Sequence, residues 1–485
     1  MRLLRLCAVA ALLGPVAALL GPVVARLGLV MALLGPVVAL LAAPQTAGAQ
    51  TLTVTASRPF GTLREQAVIQ QQWLEQRLER FLPALMRKHG VDLWVISMRE
   101  YNEDPVFSSI VSPTTFAARR RSIYIFHDRG PELGVEKLAL GGTSQGGVYT
   151  AFRSNRPVEA DVGGRTGELW GDQQWDLLRE LIEDRNPRVI GINVSEITAF
   201  ADGLTAGEHQ AMVRALGPEL AAKLRPVEDL AVEFIAARLP EEDVVYERMQ
   251  RLVWSMIEEM FSERTITPGV TRTSDLVWWW RQRLNDLGLQ TWFQPSVSVQ
   301  RRGMTGDEIG ADPIIQRGDV LHCDVGIVAL GLTTDTQHNA YVLLPGESAP
   351  PAGLQRALAR SNRFQDILFE EVRPGRTGNE VLHATLATMR AEGLNGTMYT
   401  HPIGLHGHGA GPLIGRWDAQ EGVPGRGDHQ VIPNMWFSSE LQVTTPVAEW
   451  NGQPVRMAQE EDFVVGPDGR PRWFVGRQER LWVVR

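Results

Sequence analysis

The sequence predicts an α/β domain in the N-terminal half of the chain and an α+β domain with an antiparallel sheet in the C-terminal half. Between about residues 60 and 235, short apolar strand candidates alternate with helical patterns, as in α/β folds. Long amphipathic helices begin near Glu242, and the last third carries many β-prone segments. We therefore expect domains at 50–238 and 239–485, each long enough to bury its own core.

The N-terminal domain begins with a helical pattern from Leu63 to His89, and Pro83 is expected to kink it near its end. Helical stretches at about 173–185 and 205–216 lie among four strand candidates, which are VDLWVISM, RSIYIFHD, KLALGG and RVIGINV.

The C-terminal domain begins with the helices EDVVYERMQRLVWSMIEEMF and TSDLVWWWRQRLNDLG, and further helices are expected at about 352–372 and 377–393. The second helix contains three consecutive tryptophans, residues 278–280, which cannot all face one side. At least one of them is therefore expected to be exposed or to lie at a contact.

The first 49 residues have the pattern of a secretory signal peptide. Two arginines precede a long apolar stretch without acids, and Ala47-Gly48-Ala49 fits a small-residue cleavage site. Because the apolar region is unusually long, an uncleaved membrane anchor is the alternative. We predict an exported, periplasmic or extracellular protein without stable membrane insertion after cleavage.

Cleavage would change the formal charge from −8 to −11, since residues 1–49 contain three arginines and no acid. This balance disfavours nucleic acid as a partner. Only Cys323 would remain, so no intramolecular disulfide is expected. Strand alternation should point Cys323 away from the face of its neighbour Asp324.

Five side chains in the last third have the chemistry of a dinuclear metal site. Asp324 lies in GDVLHCDVG, and Asp335 follows eleven residues later, a spacing that suits two antiparallel strands joined by a Gly-containing turn. His401 opens HPIGLHGH, while Glu440 and Glu461 lie in WFSSELQV and EEDFVV. Any one of them alone would be more typical of a capping or surface residue. Four carboxylates and one imidazole suit two Mn²⁺, Fe²⁺, Co²⁺ or Zn²⁺ ions.

The order Asp, Asp, His, Glu, Glu resembles that of the pita-bread metallopeptidases, which include aminopeptidase P, prolidase and methionine aminopeptidase. HPIGLHGH at 401–408 is similar to the family's His-x-x-Gly-Leu-x-x-His signature, and EED at 460–462 is similar to its Glu-Asp before a closing strand. The resemblance implies a pita-bread (creatinase/aminopeptidase) fold with a curved sheet for 239–485. It also implies a creatinase-like N-terminal domain that walls the site and contacts a second subunit, hence a homo-oligomer.

The resemblance assigns a role to each ligand. Asp324 would bind one ion and His401 with Glu440 the other, while Asp335 and Glu461 would bridge both.

Glu440 is also the expected general base. His408 would donate a hydrogen bond to the substrate carbonyl, and His406 would support it or contact substrate, although a single histidine in such a glycine-rich loop more often faces solvent.

The sequence departs from the family pattern upstream of the first ligand, where a substrate-binding histidine is usual. No histidine occurs between Gly288 and Leu321. Arg301 or Arg302 is the predicted substitute, which would favour a carboxylate or polarised carbonyl in the substrate. The segment from His401 to Glu440 is also longer than usual and is expected to form a lid or specificity loop.

The expected function is an exported dinuclear metallopeptidase, an Xaa-Pro aminopeptidase or dipeptidase, with a peptide or dipeptide as substrate. Manganese is the first expectation for the two divalent ions, with Co, Fe or Zn open. Two alternatives remain, a relative that hydrolyses another amide or ester and a peptide-binding member without catalysis. Lost ligands would mark the second alternative, and the sequence retains all five. A metal-free creatinase-like activity is disfavoured, because a complete ligand set would then have no purpose.

Overall fold

The N-terminal part of the chain is built on a mixed seven-stranded sheet. The computed structural model describes Thr55, residues 57–152, 157–158 and 172–485. The strands of this sheet are β1 (Leu93–Arg99), β2 (Arg121–Asp128), β3 (Val135–Leu140), β4 (Thr150–Phe152), β5 (Pro157–Val158), β6 (Ile190–Ile192) and β7 (Leu224–Pro226). Their order is β5-β4-β3-β2-β1-β6-β7, with the interior strand β1 antiparallel to β2 and parallel to β6. Alternate β1 residues contribute to two separate apolar clusters, Leu93 to one and Trp94 to the other, so both faces of the strand are buried.

Helices accompany this sheet. They are α1 (Leu63–Arg80), α2 (Leu82–Lys88), α3 (Phe107–Ile110), α4 (Asp172–Arg185), α5 (Ala206–Ala221) and α6 (Glu228–Ala236), with a 3₁₀ turn at Ala199–Ala201. The predicted kink is confirmed, since the helical pattern breaks at Phe81 and Pro83 lies in the first turn of α2. The helix α1 begins with a capping box, in which Thr62 and Glu65 each accept the other's backbone N–H.

The C-terminal part combines helices with mainly antiparallel sheets. The helices are α7 (Pro240–Met260), α8 (Thr273–Asp286), α9 (Gly306–Ile309), α10 (Ala352–Glu371) and α11 (Gly378–Ala391). The strands are β8 (Ser296–Gln300), β9 (Val320–Val325), β10 (Val328–Ala329), β11 (Leu332–Thr333), β12 (Thr336–Val342), β13 (Gly396–Pro402), β14 (Trp436–Val447), β15 (Gln453–Gln459), β16 (Asp462–Val465), β17 (Pro471–Trp473) and β18 (Trp482–Val484).

Two sheets dominate this part. One has the order β18-β12-β9-β8, in which only the β12–β18 pair is parallel, and the other has the order β13-β14-β16-β17 with β15 also paired to β14. A bridge between Gln337 and Glu460 connects them. Apolar residues of α7 and β9, including Val253, Ile257 and Leu321, share one core cluster. These elements agree with the predicted fold class.

Other expectations concern single segments. Trp280 is fully buried while Trp278 is 60% exposed, so the prediction for the tryptophan triplet is confirmed. Residues 52–485 form one compact unit, and the predicted domain boundary at 239, which falls in the short connection between α6 and α7, stays a prediction. The predicted signal peptide at 1–49 lies outside the described residues. Among the helices of the described residues, none is long and apolar enough to cross a membrane.

Candidate metal centre

The two aspartates of the predicted site lie close together. Asp324 is in β9 and Asp335 immediately precedes β12, and these strands pair antiparallel. The short β10–β11 hairpin, which contains Gly331, joins them. Their carboxyl groups are close enough that each affects the pKa of the other. The predicted antiparallel arrangement is therefore confirmed.

His401 is held in the tautomer that a metal ligand requires. It lies in β13, fully buried, and its Nδ1 is 3.0 Å from the carbonyl oxygen of Pro402. Because a carbonyl only accepts, Nδ1 carries the hydrogen and Nε2 keeps a free lone pair. Nε2 lies 3.3 Å from Glu460 Oε1 and 4.0 Å from Asp335 Oδ2.

The fifth carboxylate of the cluster is Glu460, and the predicted bridging ligand Glu461 points elsewhere. Ligand atoms of Asp335, His401 and Glu460 all lie within 4.8 Å of one another. Glu461 Oε1 instead lies 2.7 Å from His338 Nε2 and accepts from Gln478 N at 2.9 Å.

This correction has a simple physical reason. Consecutive side chains of extended backbone point to opposite faces, so a shift of one residue exchanges the ligand for its neighbour. The carboxylate of Glu461 also accepts from Trp254 Nε1 at 3.2 Å, so both its oxygens have partners away from the cluster.

Glu440 completes the set from β14, where its cross-strand partner is Tyr399. Burial and the neighbouring Glu460 raise the pKa of Glu440 to about 8. The same two causes raise the pKa of Asp324 to about 8 and the pKa of Asp335 well above its ordinary value. Burial also raises the pKa of Glu460 to about 7. Four buried carboxyl groups thus repel one another, and a cation between them would remove this repulsion.

The donor atoms of these residues fit a metal ion. Asp324 Oδ1, Asp335 Oδ1, His401 Nε2 and Glu460 Oε1 are all buried without a hydrogen-bond partner. Buried polar atoms are rarely left unpartnered, and oxygens with an imidazole nitrogen are ligands for divalent transition metals. Cys323 is fully buried and takes no part in the cluster, as expected.

The other two histidines of the motif differ in position. His408 is exposed, and its ring centroid lies 4.8 Å from that of His401 and 5.2 Å from that of Trp292. His406 contacts Phe200 of the N-terminal part, with ring centroids 4.9 Å apart. Burial, with a smaller effect of Arg238, lowers the pKa of His406 to about 4, so it is neutral at pH 7. The structure thus brings His408 to His401 and His406 to Phe200 of the N-terminal part.

Neither arginine predicted to bind substrate is brought to the cluster. Arg301 forms a bidentate ion pair with the fully buried Asp319, at 2.7 and 2.8 Å, and also donates to Ile314 O. Arg302 is exposed, and in the described part of the chain no contact joins it to the ligands. The prediction for Arg301 is wrong because its guanidinium is already used to pair a buried carboxylate.

A different arginine, Arg426, lies beside the ligands. Its Nε is buried without a partner, and its Nη2 donates to Gly409 O at 3.0 Å. Its charge contributes to lowering the pKa of both His401 and His408, although burial is the largest cause for each. The only signal for this residue in the sequence was indirect, namely the unusual length of the segment between His401 and Glu440.

The segment that carries Arg426 is anchored to the N-terminal part. The guanidinium carbon of Arg426 lies 6.0 Å from the ring centroid of Phe200. His429 Nε2 lies 3.1 Å from Thr198 Oγ1, and its Nδ1 lies 3.2 Å from Asp229 Oδ1. The predicted specificity loop is therefore fixed by contacts that the N-terminal part supplies.

Comparison with known proteins agrees with this site. Residues 245–467 match metallopeptidase family M24. No curated protein matches the chain. An X-Pro aminopeptidase from Thermotoga maritima MSB8 is 16% identical with a TM-score of 0.56, and covers 83% of this chain and 100% of its own. An Xaa-Pro dipeptidase from Bacillus anthracis is 15% identical with a TM-score of 0.55, and the match covers 85% of this chain and 99% of the dipeptidase.

A similar fold also occurs in a protein that is not named as a peptidase. The N-terminal domain of FACT complex subunit SPT16 from Cicer arietinum is 12% identical with a TM-score of 0.51, over 86% of this chain and 99% of its own. At such identities the likeness shows the fold alone, so activity has to be argued from the site.

Proposed function

We propose that the protein, whose residues 245–467 match metallopeptidase family M24, is an Xaa-Pro dipeptidase or aminopeptidase that prefers short substrates with a free carboxylate. One observation carries the proposal. Ligand atoms of the buried Asp335, His401 and Glu460 lie within 4.8 Å of one another, Asp324 and Glu440 adjoin them, and four donor atoms of this set have no hydrogen-bond partner among the described residues.

The residues that would hold two divalent ions, with Mn²⁺ as the first candidate, are Asp324, Asp335, His401, Glu440 and Glu460. Bound ions would supply Lewis acidity and an activated water for attack on the scissile carbonyl.

Residues of the protein would then accept the proton of the water and donate hydrogen bonds to the substrate. Glu440 is the carboxylate proposed to accept the proton of the attacking water. His408, exposed beside His401, is placed to donate a hydrogen bond to the carbonyl oxygen as charge develops there. His406 is proposed to support the loop from its contact with Phe200.

Arg426 supports the preference for a free carboxylate. Burial lowers the pKa of its guanidinium, and among the described residues none of its contacts is to a carboxylate. A buried charge without a counter-ion is costly, and a guanidinium matches a carboxylate with two parallel hydrogen bonds. A substrate with a free C-terminus would provide this counter-ion.

The proposal is tested by metal analysis of the purified full chain, joined to hydrolysis assays on Ala-Pro, Ala-Pro-Ala and their amidated forms. We expect stoichiometric divalent metal, loss of activity with a chelator, recovery with Mn²⁺, and faster cleavage of the free acids. A protein that binds divalent ions but cleaves none of these peptides would favour another amide or ester as substrate. A protein that binds no ion would contradict the proposal itself.

Export and assembly are separate proposals. The basic start, apolar run and small-residue site of residues 1–49 support a cleaved signal peptide. N-terminal sequencing of the protein from its native host should find Gln50 first, and retention of residues 1–49 in the membrane fraction would favour an anchor. Light scattering of the purified protein tests the expected homo-oligomer.

A further inference from the structure

Gln337 of β12 holds Glu460 through both its backbone and its side chain. The two residues exchange backbone hydrogen bonds of 3.1 Å in each direction, and the Gln337 amide donates to Glu460 Oε2 at 2.7 Å. The other carboxylate oxygen, Oε1, has no partner and faces His401 Nε2 at 3.3 Å. Gln337 thus fixes which oxygen of Glu460 is offered to the cluster.

The other end of Gln337 is held by His322 of β9. His322 Nε2 lies 2.9 Å from Gln337 Oε1. A carboxylate only accepts, so the Gln337 amide nitrogen must face Glu460 and its oxygen must face His322. His322 Nε2 therefore carries the hydrogen, and Nδ1 can accept from the Ser298 hydroxyl at 3.5 Å. The carboxylate of Glu460 therefore determines which group donates and which accepts in each hydrogen bond of this network.

From His322 to Glu460 this hydrogen-bonded network is shielded from water, while Ser298 at its far end is exposed. His322 is 8% exposed, Gln337 is 5% exposed and Glu460 is 1% exposed. In such surroundings a polar network is strong, and water replaces a missing member poorly. Ser298, His322 and Gln337 lie in three adjacent strands, so the sheet itself sets their spacing.

We propose that His322 and Gln337 are positioning residues that orient Glu460 for metal binding. The inference rests on the proposed metal function and adds to it two residues that do not bind the ion themselves. Outer partners of this kind commonly change metal affinity by about 10- to 100-fold when they are removed.

The test compares Gln337→Met and His322→Leu with a matched control, Asn339→Leu, in the full chain. Asn339 also lies buried in β12, but its amide donates to the backbone oxygen of Ala458 at 2.6 Å. The Mn²⁺ dissociation constant is measured by calorimetric titration of the metal-free protein, and the coordination geometry by the visible absorption of the Co²⁺ form.

We expect Gln337→Met to weaken Mn²⁺ binding by about 10- to 100-fold and to change the Co²⁺ spectrum. His322→Leu should weaken binding less, because Gln337 keeps its bonds to Glu460. The double variant should equal Gln337→Met alone, since His322 acts only through Gln337. Asn339→Leu should lower the melting temperature without changing affinity or spectrum.

Binding by Gln337→Met within twofold of wild type with the same Co²⁺ spectrum, or an equal loss in Asn339→Leu, would overturn the inference. If Gln337→Met shows no cooperative melting, the affinity of His322→Leu decides, and wild-type affinity there would also overturn it. A wild-type protein that binds no Mn²⁺ contradicts the proposed function instead, so the two failures are distinguishable.

Discussion

Glu440 combines two tasks in one carboxylate, since it would hold an ion and accept a proton. Glu440→Gln keeps the shape of the side chain but removes its basicity and its charge. We expect kcat to fall by at least about 10²-fold, the lower end of what a general base contributes, while the melting temperature stays near or above that of wild type. The control is Glu219→Gln, an exposed carboxylate of α5 outside the site. Unchanged turnover of Glu440→Gln with added Mn²⁺ would contradict this role.

Under the proposed function, Arg426 would take the substrate-binding role that was predicted from the sequence for Arg301 or Arg302. Arg426→Ala should raise KM for a free-acid dipeptide by about 10- to 100-fold, the value of one charge-assisted interaction, with metal content intact. Arg426→Lys should bring KM only part of the way back to the wild-type value, because an ammonium group lacks the two parallel hydrogen-bond donors of a planar guanidinium. The matched control is Arg302→Ala, an exposed arginine for which no change is expected. If wild type cleaves amidated and free-acid peptides equally, the carboxylate assignment fails.

At the scale of strands, the register decides which acid of the Glu460-Glu461 pair is the ligand. Glu460→Gln should weaken Mn²⁺ binding by more than the roughly 10- to 100-fold of an outer partner, because it removes a ligand charge. Glu461→Gln should keep near-native affinity and lower stability, since it weakens the buried contact with His338. Calorimetric titration and thermal melting of both variants separate the two effects. The reverse pattern would restore Glu461 as the ligand.

The strand pairing around Glu460 and Glu461 also shows which part of the site could not be predicted from the sequence. The apolar run around Asp324 and the glycine turn before Asp335 predicted two adjacent strands, because burial patterns and turns are local properties. Glu460 and Glu461 are neighbours in an acidic triplet, and the pairing of Glu460 with Gln337, 123 residues earlier, determines which one faces Asp335 and His401. Such a long-range register leaves no local signal.

At the scale of the molecule, the fold class was predictable and four of the five residues that the structure brings together were named from the sequence, whereas the joining of the two parts was not. The contacts of Phe200 with His406 and Arg426 connect a 3₁₀ turn of the N-terminal part to a loop more than 200 residues later. A turn with the sequence Ala-Phe-Ala carries no sign of this in its own residues. The same contacts place the N-terminal part at the wall of the site, which the family resemblance had implied.

Because the clustered carboxyl groups repel one another when ionised, the stability of the whole protein should depend on pH. Without metal, the folded pKa values of Asp324 and Glu440 are about 8, against ordinary values of 3.8 and 4.5. The folded state therefore binds more protons than the unfolded state between these limits, and stability falls as pH rises until the folded groups have ionised. A bound divalent ion neutralises the carboxylates, so the metal-loaded protein should lack this loss.

We predict that the melting temperature in EDTA falls from pH 6.5 to 8.5, and that the increase caused by Mn²⁺ grows over the same interval. The interval begins above the pKa of Asp104, which burial raises to about 6 and which would contribute with the same sign at lower pH. Asp324→Asn, which removes one of the repelling charges, should flatten the decline without metal. A metal-free melting temperature that rises toward pH 8.5, or a Mn²⁺ effect independent of pH, would mean that the carboxylates do not share one buried site.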